Sequence, residues 1–229
     1  MLSACKADEP IGNIDKLPTD VFFLNDTKWK ETQSQINGWN IDKSYLDTVI
    51  YSVKQIEENK AELNRLIIKV TGKYTDYSRQ IFVPDSSWTI GPELYGYILL
   101  EGKKVYYQYN ATADKELMYD FSLNVGDVFD REYFYDDAKF YVESIDNVLL
   151  GNEYRRKYNF ILKPTMKKYD FSAIEGIGCV GNEQFFDKHF FYTRNIFLNE
   201  IGDPQITRVL QAVYYKDKII WKHPRYKGE

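Results

Sequence analysis

Glu116-Leu117-Met118-Tyr119-Asp120-Phe121-Ser122-Leu123-Asn124-Val125-Gly126-Asp127 alternates between apolar and polar side chains almost without a break. Successive side chains of an extended strand point to opposite faces. The pattern therefore places Leu117, Tyr119, Phe121, Leu123 and Val125 on one apolar face of a half-buried β-strand. Met118, Asp120, Ser122 and Asn124 fall on the other face, with Asp120 pointing outward. Gly126-Asp127 supplies turn chemistry at the end of the run.

The flanking segments read as strands that could pair with this one. Tyr95 to Leu100 runs into Glu101-Gly102 and returns through Lys103 to Tyr109, with Val105, Tyr107 and Tyr109 on one face. Phe140 to Leu150, the Gly151-Asn152 pair and Tyr154 to Leu162 form a second predicted hairpin. Here Tyr154, Arg156, Tyr158, Phe160 and Leu162 share one side. Val213-Tyr214-Tyr215, Lys216-Asp217 and Ile219-Ile220-Trp221 give a third. Residues 46–70 fit both a helical stripe and two alternating strands. Their β-branched and aromatic content favours a hairpin turning at Glu57-Glu58-Asn59-Lys60. Gly72, Pro84-Asp85-Ser86 and Gly91-Pro92 punctuate the next stretch. Ile174-Glu175-Gly176-Ile177-Gly178 reads as a bend close to the sheet; its two glycines lack the spacing and following helix of a phosphate loop. The expected fold is mainly β: an antiparallel sandwich or partly open rolled barrel built from hairpins, with little helix. Residues 1–20 read as a flexible tether and 21–229 as a single β-rich domain.

Composition narrows the function. The 229 residues are 44% hydrophobic and 17% aromatic, with 20 Tyr and 14 Phe. Such residues suit a pleated, half-buried surface. The net charge of −4 offers no field for phosphate backbones, so no nucleic-acid partner is expected. No run approaches the roughly 18 apolar residues of a membrane-spanning helix. The two cysteines, Cys5 and Cys179, lie in no zinc-ligand spacing. The two histidines, His189 and His223, accompany no nucleophile signature. Asp127, Asp130, Asp136 and Asp137 lack the oxygen spacing of known calcium loops. Glu57-Glu58 reads as a solvated turn. No catalytic residue, metal or cofactor is expected. Trp29, Trp39 and Trp88 are candidate platforms for stacking on a sugar, against the commoner use of tryptophan as a core anchor.

Leu2-Ser3-Ala4-Cys5 resembles a bacterial lipobox, in which a small residue precedes a cysteine that is lipidated. Cys5 would then attach the chain to a membrane through lipid, and Cys179 would remain as a small buried residue. Lys6-Ala7-Asp8-Glu9-Pro10 looks like the export signals that carry Bacteroidetes lipoproteins to the outer face of the outer membrane, which favours the surface over the periplasm. Asp47-Thr48-Val49 is similar to the short O-glycan acceptor pattern of exported Bacteroidetes proteins.

The order of Leu100 to Tyr107, Glu116 to Asp127, Val142 to Asp146, Tyr154 to Tyr158 and Ile174 to Gly178 resembles a family of secreted proteins and lipoproteins from Bacteroidetes. The resemblance covers about residues 28–182. Ala173 stands where that family has Trp, and Cys179 where it has a small hydroxyl residue. The resemblance implies a cell-envelope location and a strand order. It brings no established activity, so it assigns no catalytic residue. The expected function is a lipid-anchored, non-enzymatic binding or structural module for glycan or protein partners. The alternative is a hydrolase of extracellular polysaccharide, which needs a cleft holding two carboxyls about 5–10 Å apart.

Overall fold

The computed structural model describes residues 26–36, 44–76, 81–129, 139–150, 153–163, 170–180 and 205–223. In chain order the strands are β1 (Thr27–Ile36), β2 (Ser44–Glu57), β3 (Lys60–Asp76), β4 (Ile81–Glu101), β5 (Lys104–Gln108), β6 (Glu116–Asp120), β7 (Val128–Phe129), β8 (Lys139–Leu150), β9 (Glu153–Lys163), β10 (Asp170–Ile174), β11 (Gly178–Cys179), β12 (Gln205–Tyr215) and β13 (Lys218–Lys222). No helix occurs among the described residues. Two antiparallel sheets form. The larger has the order β13-β12-β1-β2-β3-β4-β5-β6 and curls into a half-barrel; the smaller has the order β11-β10-β9-β8-β7. This is the expected mainly-β, antiparallel, partly open architecture.

Local hairpins fold as their turns predict. Glu57 pairs with Lys60, leaving Glu58-Asn59 as the turn, so residues 46–70 are strand and not helix. Glu101 pairs with Lys104 around Gly102-Lys103. Lys216 and Asp217 both adopt positive φ, 47° and 60°. That backbone twist suits a two-residue hairpin.

The punctuation marks behave differently. Pro84-Asp85-Ser86 and Gly91-Pro92 do not end strands; both lie inside the 21-residue β4. Register shifts of the β3–β4 ladder fall at these places, between Thr71 and Gly72 and between Arg65 and Ile67. A bulge absorbs the extra residue and the missing proline N–H while pairing resumes on either side. Gly96, opposite Leu63, is needed for a different reason. A Cβ there would lie 2.6 Å from the Tyr107 ring and 2.7 Å from the Gln108 carbonyl oxygen.

The alternating run at 116–127 is shorter as a strand than its pattern. β6 stops at Asp120 and forms the edge of the large sheet. Tyr119 and Phe121 are buried, but Val125 is 61% exposed. Asp120, expected to point outward, is buried. Lys104 Nζ stands 3.4 Å from its carboxylate, and the Ser122 amide donates to it at 2.9 Å. Strand pairing gives way because the segment is the crossover between sheets. The Phe121 amide donates to the Lys103 carbonyl on the large-sheet side. The Gly126 amide then donates to the Val142 carbonyl, and the Val142 amide to the Asp127 carbonyl, on the small-sheet side.

One core lies between the sheets. The Tyr158 hydroxyl donates to the Phe121 carbonyl, and the Tyr119 hydroxyl accepts from the Cys179 amide at 3.0 Å. The Tyr119, Phe121 and Tyr158 rings follow one another at centroid distances of 5.6 and 5.5 Å. Trp29 donates its indole N–H to the Ile177 carbonyl at 3.1 Å, which seats the 174–178 bend against the large sheet. On β9, Tyr158 and Phe160 face inward as predicted. Nearer the hairpin end the opposite face is covered, so Arg155 is buried and Tyr154 is 74% exposed.

Two outcomes follow. Gly96→Ala should lower stability by about 1–3 kcal/mol, because buried ring and backbone both resist the added methyl; an unchanged urea midpoint would contradict the packing described. Burial holds the Tyr158 phenol above its usual range, at about 12 against 10. The folded state therefore binds that proton more tightly than the unfolded chain. The stabilisation is fully present below pH 10 and is lost as pH rises through about 12. Tyr158→Phe should cost about 1 kcal/mol at neutral pH and flatten the alkaline fall in stability. A variant with the same alkaline titration as the wild type would refute the assignment.

Candidate binding surface

Directly opposed residues of antiparallel strands share a face. On β2, Val49, Tyr51 and Val53 are buried, so the odd-numbered side faces the inside of the curl. Pairing extends that face across β3 to β4. Val49 opposes Ile67, which opposes Ile90. One row further along, Lys69 opposes Trp88, and the Asp47 carboxylate lies 3.4 Å from Lys69 Nζ. In the row after that, Tyr45 opposes Thr71, which opposes Ser86. Cover thins from β2 to β4: Asp47 is 4% exposed and Trp88 45%. Val83 and Ile90 on β4 are exposed as well.

This exposure follows from strand lengths. β5 pairs with β4 only from Tyr97 to Glu101. Among the described residues, β4 has no further strand neighbour before Tyr97.

The polar groups of this face are engaged with one another. Asp47 Oδ1 accepts from the Val70 amide at 3.4 Å, and Lys69 Nζ lies 5.8 Å from the Tyr45 ring. The Thr71 and Ser86 hydroxyls are 2.6 Å apart. Arg65 forms an ion pair with Glu93 and lies over the Tyr95 ring at 4.3 Å. Tyr95 in turn contacts Tyr51 and Tyr107 at 5.6 and 5.9 Å. The Tyr107 hydroxyl donates to the Tyr95 carbonyl at 2.7 Å. Burial, then the neighbouring Tyr95 phenol, pushes the Tyr107 phenol well above its ordinary value, so it stays a neutral donor.

The sequence candidates separate. Trp29 has no exposed surface, so its ring cannot stack on a ligand. Trp88 is open to solvent. Cys5 and Trp39 lie outside the described residues, as do His189, Asp130, Asp136 and Asp137. Cys179 is buried and pairs across the ladder with Ala173. Asp47-Thr48-Val49 lies within β2, with Asp47 and Val49 buried. His223 is also buried. No group of three or more His, Cys, Asp or Glu able to hold a metal occurs among the described residues.

Glu31 opposes Val49, which places it diagonally from Asp47 on the same face, a neighbour relation of about 7–8 Å. That spacing is within the reach of a carboxylate pair. Both residues are buried, Glu31 at 1% exposure, so neither meets solvent from which a substrate could arrive. The row Asp47–Lys69–Trp88 was not apparent from the sequence, because its members are separated by 22 and 19 positions and meet only through pairing. Comparison with protein-family models, curated proteins and solved structures finds no match to this chain.

Lys69→Met should destabilise the fold by about 1–2 kcal/mol, since it leaves the buried Asp47 carboxylate with only the Val70 amide on this side. Pairing it with Asp47→Leu should recover most of the loss. If the single variant unfolds at the wild-type urea concentration, the ion pair has no structural role.

Proposed function

We propose that this chain is a lipid-anchored cell-envelope protein that acts by binding, through the open inward face of β3 and β4. The carrying observation is Trp88, a large ring left exposed on an ordered strand and set among hydroxyl and ion-paired side chains. An exposed apolar site with a polar surround is the usual form of a recognition surface. The anchor reading rests on Leu2-Ser3-Ala4-Cys5, and the outer-membrane, outward-facing placement on Lys6 to Pro10. The resemblance to secreted proteins and lipoproteins of Bacteroidetes supports the same address.

Hydrolysis is the weaker reading. Asp47 and Asp120 are buried and held by Lys69 and Lys104, and Glu31 is buried beside Val49. A general acid and its partner must reach a glycosidic bond.

The anchor is tested by expressing the protein from its own gene in a Bacteroidetes host supplied with an alkyne-tagged fatty acid. The wild-type chain should carry the label and sediment with outer membranes. Cys5→Ala should lose the label and appear in the soluble fraction. Continued membrane attachment of the variant would refute lipidation at Cys5.

A further inference from the structure

We propose that the Asp47–Lys69–Trp88 row, with Tyr45, Thr71 and Ser86 beside it, binds a neutral oligosaccharide. The inference rests on the binding reading above and names the ligand class for that surface.

Three observations point to this ligand. The first is the company Trp88 keeps. Its cross-strand neighbour is Lys69, held by Asp47, and the next row places the Thr71 and Ser86 hydroxyls together. A sugar ring presents an apolar C–H face with hydroxyls around its rim. An exposed indole flanked by fixed donors and acceptors answers both parts. Tyr45 stands two strand spacings from the β4 row, about 10 Å, with Thr71 between them. That separation suits an extended ligand of more than one ring.

The second observation is charge. Lys69 is matched by Asp47 and Arg65 by Glu93. The pairs leave the centre of the face without net charge, so it offers little to a polyanion.

The third observation concerns the edge of β4. A free strand edge would ordinarily suit an added peptide strand. Here β4 carries Pro84 and Pro92, with a bulge at each. Prolines and bulges are the devices that keep sheet edges from pairing. The face is left as the part of β4 able to take a ligand.

Titration calorimetry of the full chain with cellohexaose, xylohexaose, maltohexaose, chitohexaose and laminarihexaose tests the proposal, with polygalacturonate as the anionic comparison. One of the neutral saccharides should bind. Trp88→Ala should weaken that binding by about tenfold or more, while Trp88→Tyr, which keeps a ring, should lose much less. Ser86→Gln alters the adjoining exposed position without touching the core and should also weaken binding, whatever the folding behaviour of Trp88→Ala. Unaltered affinity in folded Trp88→Ala and in Ser86→Gln would overturn the site while leaving a binding protein. If no saccharide binds but outer-membrane protein is retained through Trp88, the ligand class is overturned in favour of a protein partner. If neither is retained, the saccharide proposal and the binding reading fall together.

Discussion

The crossover from Asp120 to Asp127 is the constraint on which the rest of the structure depends. A half-barrel sheet has an apolar inner face that must be covered. The cover is a second sheet, and the chain reaches it by leaving β6 at Phe121. A strand that ends in the interior strands its carbonyl groups. Tyr158 answers this by donating to the Phe121 carbonyl from the small sheet, and Tyr119 accepts the Cys179 amide in return. Two hydroxyls thus satisfy backbone groups that no ladder could reach, while their rings fill the space between the sheets. An unpaired buried backbone group would cost about 1–3 kcal/mol. The high aromatic content has its explanation here: tyrosine supplies both packing area and a polar tip.

From that arrangement the open surface follows. The small sheet and the crossover cover one end of the inner face, where Val53, Leu63, Ile98 and Tyr119 are buried. β3 and β4 are the longest strands and continue past β5, so the far part of their face thins toward solvent. Trp29 and Trp88 illustrate the difference. The first is fully buried with its N–H bonded to the Ile177 carbonyl; the second stands exposed on β4. Residue type alone does not separate them; position along and across the sheet does.

The sequence was most legible where pairing and turn lie in one stretch. Glu58-Asn59, Gly102-Lys103 and Lys216-Asp217 each close a hairpin between alternating strands, and each folds as its chemistry predicts. It was least legible where the outcome depends on distant partners. Pro84 and Gly91-Pro92 read as breaks because local rules disfavour them in strands, but the seventeen-residue β3 pairs along them on both sides of each bulge. Asp120 reads as outward from alternation, but Lys104 and Ser122 make it a satisfied buried acid. β1 sits between β12 and β2, a long-range pairing that no local pattern encodes. For the binding surface, the polar run Ser86-Ser87-Trp88-Thr89 was the available signal, since a core tryptophan is seldom set among so many hydroxyls.

The central claim, that tyrosine hydroxyls join the two sheets at the crossover, is tested most directly by native-state hydrogen exchange at the Cys179 amide. Its donation to the Tyr119 hydroxyl predicts strong protection in the wild-type chain. In Tyr119→Phe that amide should exchange markedly faster, while amides at the centre of the β2–β3 ladder keep their protection. Equal protection of Cys179 in both chains would contradict the account.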